Sequence, residues 1–221
     1  MTKPSIEDIE AAGGYPLIYC DSPWSYNQKG RGAAENHYKT MSLDALKQLP
    51  VSRLASRDAV LFSWATMPLL PEALDVGRAW GFEYKTCAFT WVKYHEASGK
   101  PCMGGGMWTR ANAELCLLFV RGEPPGRVSA AVRQLVESKP ERWICDGCHR
   151  EYTEHPGTGD SGQVLRAPRG VHSAKPAAVR ARIDELMGPD LPRVELFARE
   201  RVEGWDAWGN EIDSDFEMGG I

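Results

Sequence analysis

No stretch of this sequence approaches the ~18 consecutive apolar residues that a membrane-spanning helix needs. The first ten residues, Met1 to Glu10, are polar and acidic, lacking the basic start and apolar middle of an export signal. These absences lead to the expectation of a cytoplasmic protein without membrane contact. The 6 cysteines among 221 residues are then reduced core thiols or metal ligands, not a disulfide framework. Positive charge is not in excess either. The net charge of −4 excludes nucleic-acid binding as a property of the whole surface and leaves it only to a local basic face. Hydrophobic content of 43% and charged content of 25% are ordinary for a globular protein, and the length fits one domain with a full core.

Against that plain background, Asp21-Ser22-Pro23-Trp24 stands out. It follows Leu17-Ile18-Tyr19-Cys20, a short apolar run that reads as a buried strand. In open α/β folds, ligands bind beyond the carboxyl ends of the strands. A carboxylate, a rigid Pro and a large aromatic at that place suit work on a flat ring bearing an amine. The ring stacks on Trp24, while Asp21 and a neighbouring backbone carbonyl accept the two amine hydrogens. Such an amine is a poor nucleophile because its lone pair is delocalised into the ring. Two acceptors out of the ring plane free it. The same residues also suit an ordinary Asp/Ser/Pro turn, so the rest of the chain has to decide.

The following segment, Ser25 to Gly32, is glycine-rich and carries Lys29 and Arg31. It reads as a substrate lid with phosphate contacts or as a solvated loop. His37 to Ser42 leads to a short helix over 43–49, with Ser42 as its N-cap. Strand over 59–64, helix over 67–80 and strand over 82–93 make a parallel βαβ unit. The stretch 94–110 holds three consecutive glycines and ends in Met107-Trp108-Thr109-Arg110, a loop of functional length. Glu114 to Val120 is another buried strand, and Val128 to Glu137 reads as a helix. Gln163 to Pro168 reads as a short strand. Pro176 fits the first position of a helix carrying Val179, Ile183, Leu186 and Met187, which ends at Gly188. Lys175 thereby stands at a helix N-terminus, a place for an anion or carboxylate. Arg193 to Arg199 is a strand, and Asn210-Glu211 follows a strand-like stretch as a ribose acceptor would. Asp213 to Ile221 reads as a frayed, flexible acidic tail.

Between these elements, 139–162 looks like an insertion. Its Cys145-Asp146-Gly147-Cys148-His149 resembles a haem attachment run, which the missing export signal argues against. Cys145 and Cys148 with His149 or His155 could supply a structural zinc site, or they are surface thiols in a turn.

The pieces taken in order resemble the MT-A70 family of S-adenosylmethionine-dependent adenine-N6 methyltransferases. The resemblance rests on Asp21-Ser22-Pro23-Trp24 (the family has Asp-Pro-Pro-Trp), Tyr38 to Ser42, Phe62-Ser63-Trp64 and Trp91-Val92-Lys93. It continues through Gly106 to Glu114, His172 to Pro176, Glu195 to Arg199 and Trp208 to Glu211. Each motif is short; their shared order is what is specific. The resemblance implies a single α/β domain of the Rossmann-like methyltransferase type, in permuted order with the catalytic motif N-terminal to the cofactor motifs. It implies that Asp21 and the carbonyl of Ser22, held by Pro23, orient the adenine amine, with Trp24 beside the base. Asp21, Lys175, Glu195, Phe197, Arg199, Asn210 and Glu211 would form the S-adenosylmethionine cleft, and no metal is expected in catalysis. Loops carrying Lys29, Arg31, Tyr38, Lys39, Trp108 and Arg110 would receive nucleic acid. Double-stranded DNA with a flipped-out base and a homodimeric protein are the expected partners. An RNA methyltransferase and a non-catalytic partner subunit of the same fold are the alternatives. Ser22 in place of Pro removes a fixed φ from the catalytic turn.

Overall fold

The strand β1 (Tyr15–Cys20) lies near the centre of an eight-stranded sheet and aims the Asp21 motif at one end of it. The computed structural model describes residues 2–25, 40–94, 102, 108–138, 143–144, 151–152, 165–166 and 175–218. Ahead of β1, helix α1 (Ile6–Ala11) starts at a capping box in which the Ser5 and Asp8 side chains each serve the other's backbone N–H. Gly14, at φ +71°, then lets the chain pass the backbone of the Leu54–Ala55 junction, where a Cβ would lie 2.8 Å from three atoms.

After β1 come α2 (Leu43–Gln48), capped by the Ser42 hydroxyl, and the single turn α3 (Val51–Leu54). The long strand β2 (Ala55–Ala65) feeds a 3₁₀ turn and α4 (Leu70–Ala79). β3 (Glu83–Lys93) and β4 (Ala113–Arg121) follow, then the short β5 (Leu135–Ser138), β6 (Trp143–Ile144), β7 (Glu151–Tyr152) and β8 (Leu165–Arg166). α5 (Ala177–Met187), β9 (Arg193–Leu196) and β10 (Asp206–Trp208) complete the order.

The sheet order is β10-β9-β1-β2-β4-β3-β5-β8. β4 pairs antiparallel with both β2 and β3, and every other pairing in this sheet is parallel, so β4 alone runs against the rest. β2 and β3 are parallel, as the βαβ reading requires, but they are not neighbours, because β4 lies between them. The consequence is spatial. Carboxyl ends of seven strands and the amino end of β4 share one edge, which brings Asp21, Lys93, Glu114, Phe197 and Asn210 to the same side.

Helices cover both faces, as a mostly parallel sheet needs. On one face Leu46, Val51, Leu54, Val76 and Trp80 pack over Ile18, Cys20, Leu61 and Phe119. On the other, Val179, Ile183 and Met187 of α5 pack over Leu17, Tyr19, Phe62, Trp64 and Trp91. From Leu17 to Cys20 the side chains alternate between the two faces, so Asp21 falls on the α5 face.

Three sequence expectations are corrected. Residues 128–137 are not a helix; they run irregularly into β5. Val128 N–H donates to the Leu186 carbonyl, Thr90 N–H to the Gln134 carbonyl, and Arg182 binds the carbonyls of Arg133 and Leu135. These tertiary bonds outweigh the helical spacing of the apolar residues. Pro176 is the N-cap of α5 and Ala177 its first helical residue. The acidic tail is docked as far as Met218: Phe216 and Met218 are buried, and Glu217 N–H donates to the Pro4 carbonyl. Asp215 offers both its backbone N–H and its side chain to Ala207, covering the outer edge of β10.

Of the insertion, only the antiparallel pair β6–β7 is described. Cys145, Cys148, His149 and His155 lie outside the described residues. Among the described residues there is no group of three or more side chains suited to a metal.

Candidate functional site

Asp21 is the first residue past β1, and its carboxylate is gripped by Lys175 from the start of α5. The ammonium stands 2.8 Å from Oδ1 and 2.9 Å from Oδ2. Lys175 also pairs with Glu114 at 3.2 Å, and the other oxygen of Glu114 pairs with Lys93. Two carboxylates and two ammonium groups thus alternate across β1, β4 and β3. All four are mostly buried, Lys93 and Asp21 being the most open at 22% and 21% side-chain exposure. Beneath them lies an indole floor. Lys175 sits 5.5 Å from the Trp64 ring centre and Lys93 sits 4.8 Å from that of Trp91. Trp64 and Trp91 meet edge to face, and the Trp64 N–H donates to the Tyr19 hydroxyl at 2.6 Å.

Charge partnering decides the ionisation here. Burial alone would lower the affinity of Lys175 for its proton, yet Asp21 and Glu114 outweigh it and hold the ammonium above its ordinary range. Burial likewise pushes the Glu114 carboxyl up, but Lys175 and Lys93 together pull it below the usual carboxylate value. Lys175 and Glu114 are therefore both charged near neutral pH.

The turn from Asp21 to Ser25 is fixed by main-chain bonds. The Ser22 carbonyl accepts the Trp24 N–H at 2.9 Å and keeps a second lone pair for another donor. The Pro23 carbonyl accepts the Met41 N–H at 2.8 Å, and Ser25 N–H donates to the Met41 carbonyl at 3.3 Å. The buried Ser22 hydroxyl contacts the Cys20 thiol at 3.2 Å. These bonds supply the rigidity that a proline at position 22 would otherwise give. The expectation of an open stacking face on Trp24 is not met. Its ring is buried in the core on the α2 side, so Trp24 anchors the turn from below.

At the ends of β9 and β10 the geometry differs. Glu195 is not turned to an open cleft; it is buried and bound by Arg180 at 2.8 Å, and Arg180 also holds Glu200. Burial pushes the Glu195 carboxyl up and Arg180 only partly offsets it, so the group stays above its ordinary range. Phe197 adopts φ 60°, a costly conformation for an aromatic residue. Its ring meets Trp208 edge-on at 5.3 Å. Ala198 N–H donates to the Trp208 carbonyl at 3.0 Å, and a Cβ on Gly209 would lie 2.2 Å from the Ala198 carbonyl oxygen. Arg199 pairs with Glu211 at 3.6 Å, and Asn210 and Glu211 are exposed.

Trp108 is 98% exposed and Arg110 is exposed, both just ahead of β4. Lys29, Arg31, Tyr38 and Lys39 lie outside the described residues. Two site members escaped the sequence reading as individual residues, Lys93 and Glu114. The usable signal was the lone carboxylate of Glu114 in an otherwise apolar strand, since a buried charge requires partners.

Comparison with known proteins bears on the whole chain. The MT-A70 family matches residues 15–211. The Type II methyltransferase M.MunI from Mycoplasma sp is 32% identical over 218 residues, covering 90% of this chain and 78% of that protein. The N6-methyladenosine RNA methyltransferase MTA1 of Cryphonectria parasitica is 26% identical over 90% of this chain and 52% of its own length. The human N(6)-adenosine-methyltransferase catalytic subunit METTL3 is 25% identical over 93% of this chain and 30% of its own length.

Proposed function

The chain belongs to the MT-A70 family, and from that premise we propose that it is an adenine-N6 DNA methyltransferase. DNA is favoured by the 32% identity to the Type II methyltransferase M.MunI, of which the chain covers 78%. The observation that carries the reading is the carboxylate of Asp21, held at the carboxyl end of a central strand beside the Ser22 carbonyl. These are the two acceptors that an exocyclic amine needs. A base must leave the duplex to reach them.

Residues along the same edge fit S-adenosylmethionine. Lys175 is a cation for its carboxylate, while Asn210 and Glu211 are exposed acceptors and donors for ribose hydroxyls. The turn from Phe197 to Arg199, packed against Gly209, forms a wall. Bound there, the cofactor supplies an electrophilic methyl group. Asp21 and the Ser22 carbonyl accept the two amine hydrogens and draw the nitrogen out of conjugation. Positioning then provides most of the acceleration. Trp24 keeps the turn in place, and Trp108 and Arg110 contact the nucleic acid. The fold is then of the Rossmann-like methyltransferase type in permuted motif order. A homodimer would extend the small nucleic-acid surface.

The test is methyl transfer from labelled S-adenosylmethionine to duplex DNA, single-stranded DNA and RNA, with Asp21→Ala alongside. Incorporation into duplex adenine that disappears in the variant is the expected result. Transfer to RNA alone would move the assignment towards the activity named for MTA1. Nucleic-acid binding without transfer would identify a non-catalytic subunit.

A further inference from the structure

We propose that Glu114 is a positioning residue that balances the charge of the amine seat, so that a cationic cofactor is accepted beside Lys175. The proposal rests on the methyltransferase reading above and adds a role for a residue which that reading does not use.

The argument starts from the quartet. Glu114 lies at the amino end of β4, buried to 8% exposure, with one oxygen on Lys175 and the other on Lys93. With Asp21 the four groups sum to zero charge. Without Glu114, two ammonium groups would face one carboxylate. Lys175 would then lose one of the two carboxylates it holds and draw harder on Asp21, weakening that carboxylate as an acceptor for the amine. The second consequence concerns the cofactor. Direct methyl transfer requires the donor sulfur to come within reach of the nitrogen that Asp21 holds. That sulfur is positive in S-adenosylmethionine and neutral in S-adenosylhomocysteine. A net positive quartet repels the first and not the second.

Lys93 completes the device. It shields the outer oxygen of Glu114, and its backbone is tied on both sides, its N–H to the Asn112 carbonyl at 2.9 Å and its carbonyl to the Cys102 N–H at 2.7 Å. The clamp around Glu114 is therefore built from three strands and a helix start.

The experiment measures binding of both cofactor forms by titration calorimetry to wild type, Glu114→Gln, Lys93→Met and the double variant. For Glu114→Gln, S-adenosylmethionine binding should fall roughly ten- to fiftyfold, with S-adenosylhomocysteine changing by less than about threefold. Lys93→Met should shift the preference the other way. The double variant, neutral again, should recover to within about fivefold of wild type. Equal losses for both cofactors, or no recovery in the double variant, would overturn the proposal. If Glu114→Gln does not fold, the preference shift in Lys93→Met decides alone: its absence overturns the role. Wild type binding neither cofactor would sink the methyltransferase reading itself, and this proposal with it.

Discussion

Around Asp21, four charged side chains are buried in contact with one another, whereas at the ends of β9 and β10 the charged groups of Asn210's turn face outward and the backbone carries the shape. The first arrangement is set before any ligand arrives. Its ions cannot move apart without leaving a buried charge unpaired. The second holds a strained Phe197 packed against Trp208 and a tight Ala198–Gly209 contact, with Asn210 and Glu211 exposed beyond them. A group that must aim an amine within a fraction of an ångström benefits from the first. A flexible ligand with hydroxyls to be gathered suits the second.

The sharpest way to break this contrast is Asp21→Ala. Methyl transfer should fall by about a thousandfold or more, as when a key polar contact to a reacting group is removed, while affinity for the neutral S-adenosylhomocysteine changes by only a few-fold. Equal losses in both would mean that the two ends are one site. Lys175→Met comes next. It leaves Asp21 and Glu114 without their shared cation and should cost about 3–5 kcal/mol of stability in urea unfolding. Gly209→Ala tests the backbone end, where the new Cβ meets the Ala198 carbonyl; a loss of about 1–3 kcal/mol is expected, with weaker cofactor binding. Asn210→Ala should lower cofactor affinity by roughly tenfold, about 1.4 kcal/mol, and leave the melting temperature unchanged because the residue is exposed.

The smallest effect is in pH dependence, and the two buried glutamates should show it with opposite sign. The Glu114 carboxyl is held below its ordinary value, so its contribution is present above that value and is lost as pH falls through the lowered one. The Glu195 carboxyl is held above, so its contribution is complete below the ordinary value and is lost as pH rises through the raised one. Stability curves of Glu114→Gln should approach wild type on the acid side. Those of Glu195→Gln should gain on wild type as pH rises above the ordinary carboxylate range. Curves that shift in the same direction would show that the two ends are not electrostatically distinct.

Much of this was legible from residues alone, and the failures have physical reasons. Asp21, Lys175, Asn210 and Glu211 were placed at strand or helix ends by apolar runs that stop at polar residues, a strong signal. The placement of β4 between β2 and β3 was not legible, because pairing across a sheet leaves no local trace in a strand buried on both faces. Val128, Val132, Leu135 and Val136 have helical spacing, but bonds from Arg182 and Leu186, distant in sequence, hold the segment irregular and then extended. Glu195 looked like a cleft residue, since nothing in Arg193 to Arg199 announces that Arg180 of α5 reaches it. The docked tail had a signal that charge obscured: Phe216 and Met218 alternate with Glu217, as one face of a strand would.

That docked tail also changes how the order of the motifs can be understood. Glu217 is bonded to Pro4, so the two ends of the described chain meet on one side of the sheet. Joined there by a short linker, the backbone would form a closed ring with every strand still in register. Such a ring can be opened at any surface turn. Whether Asp21 precedes Asn210 or follows it is then a matter of where the ring is cut, and the chemistry at the shared edge is indifferent to the choice.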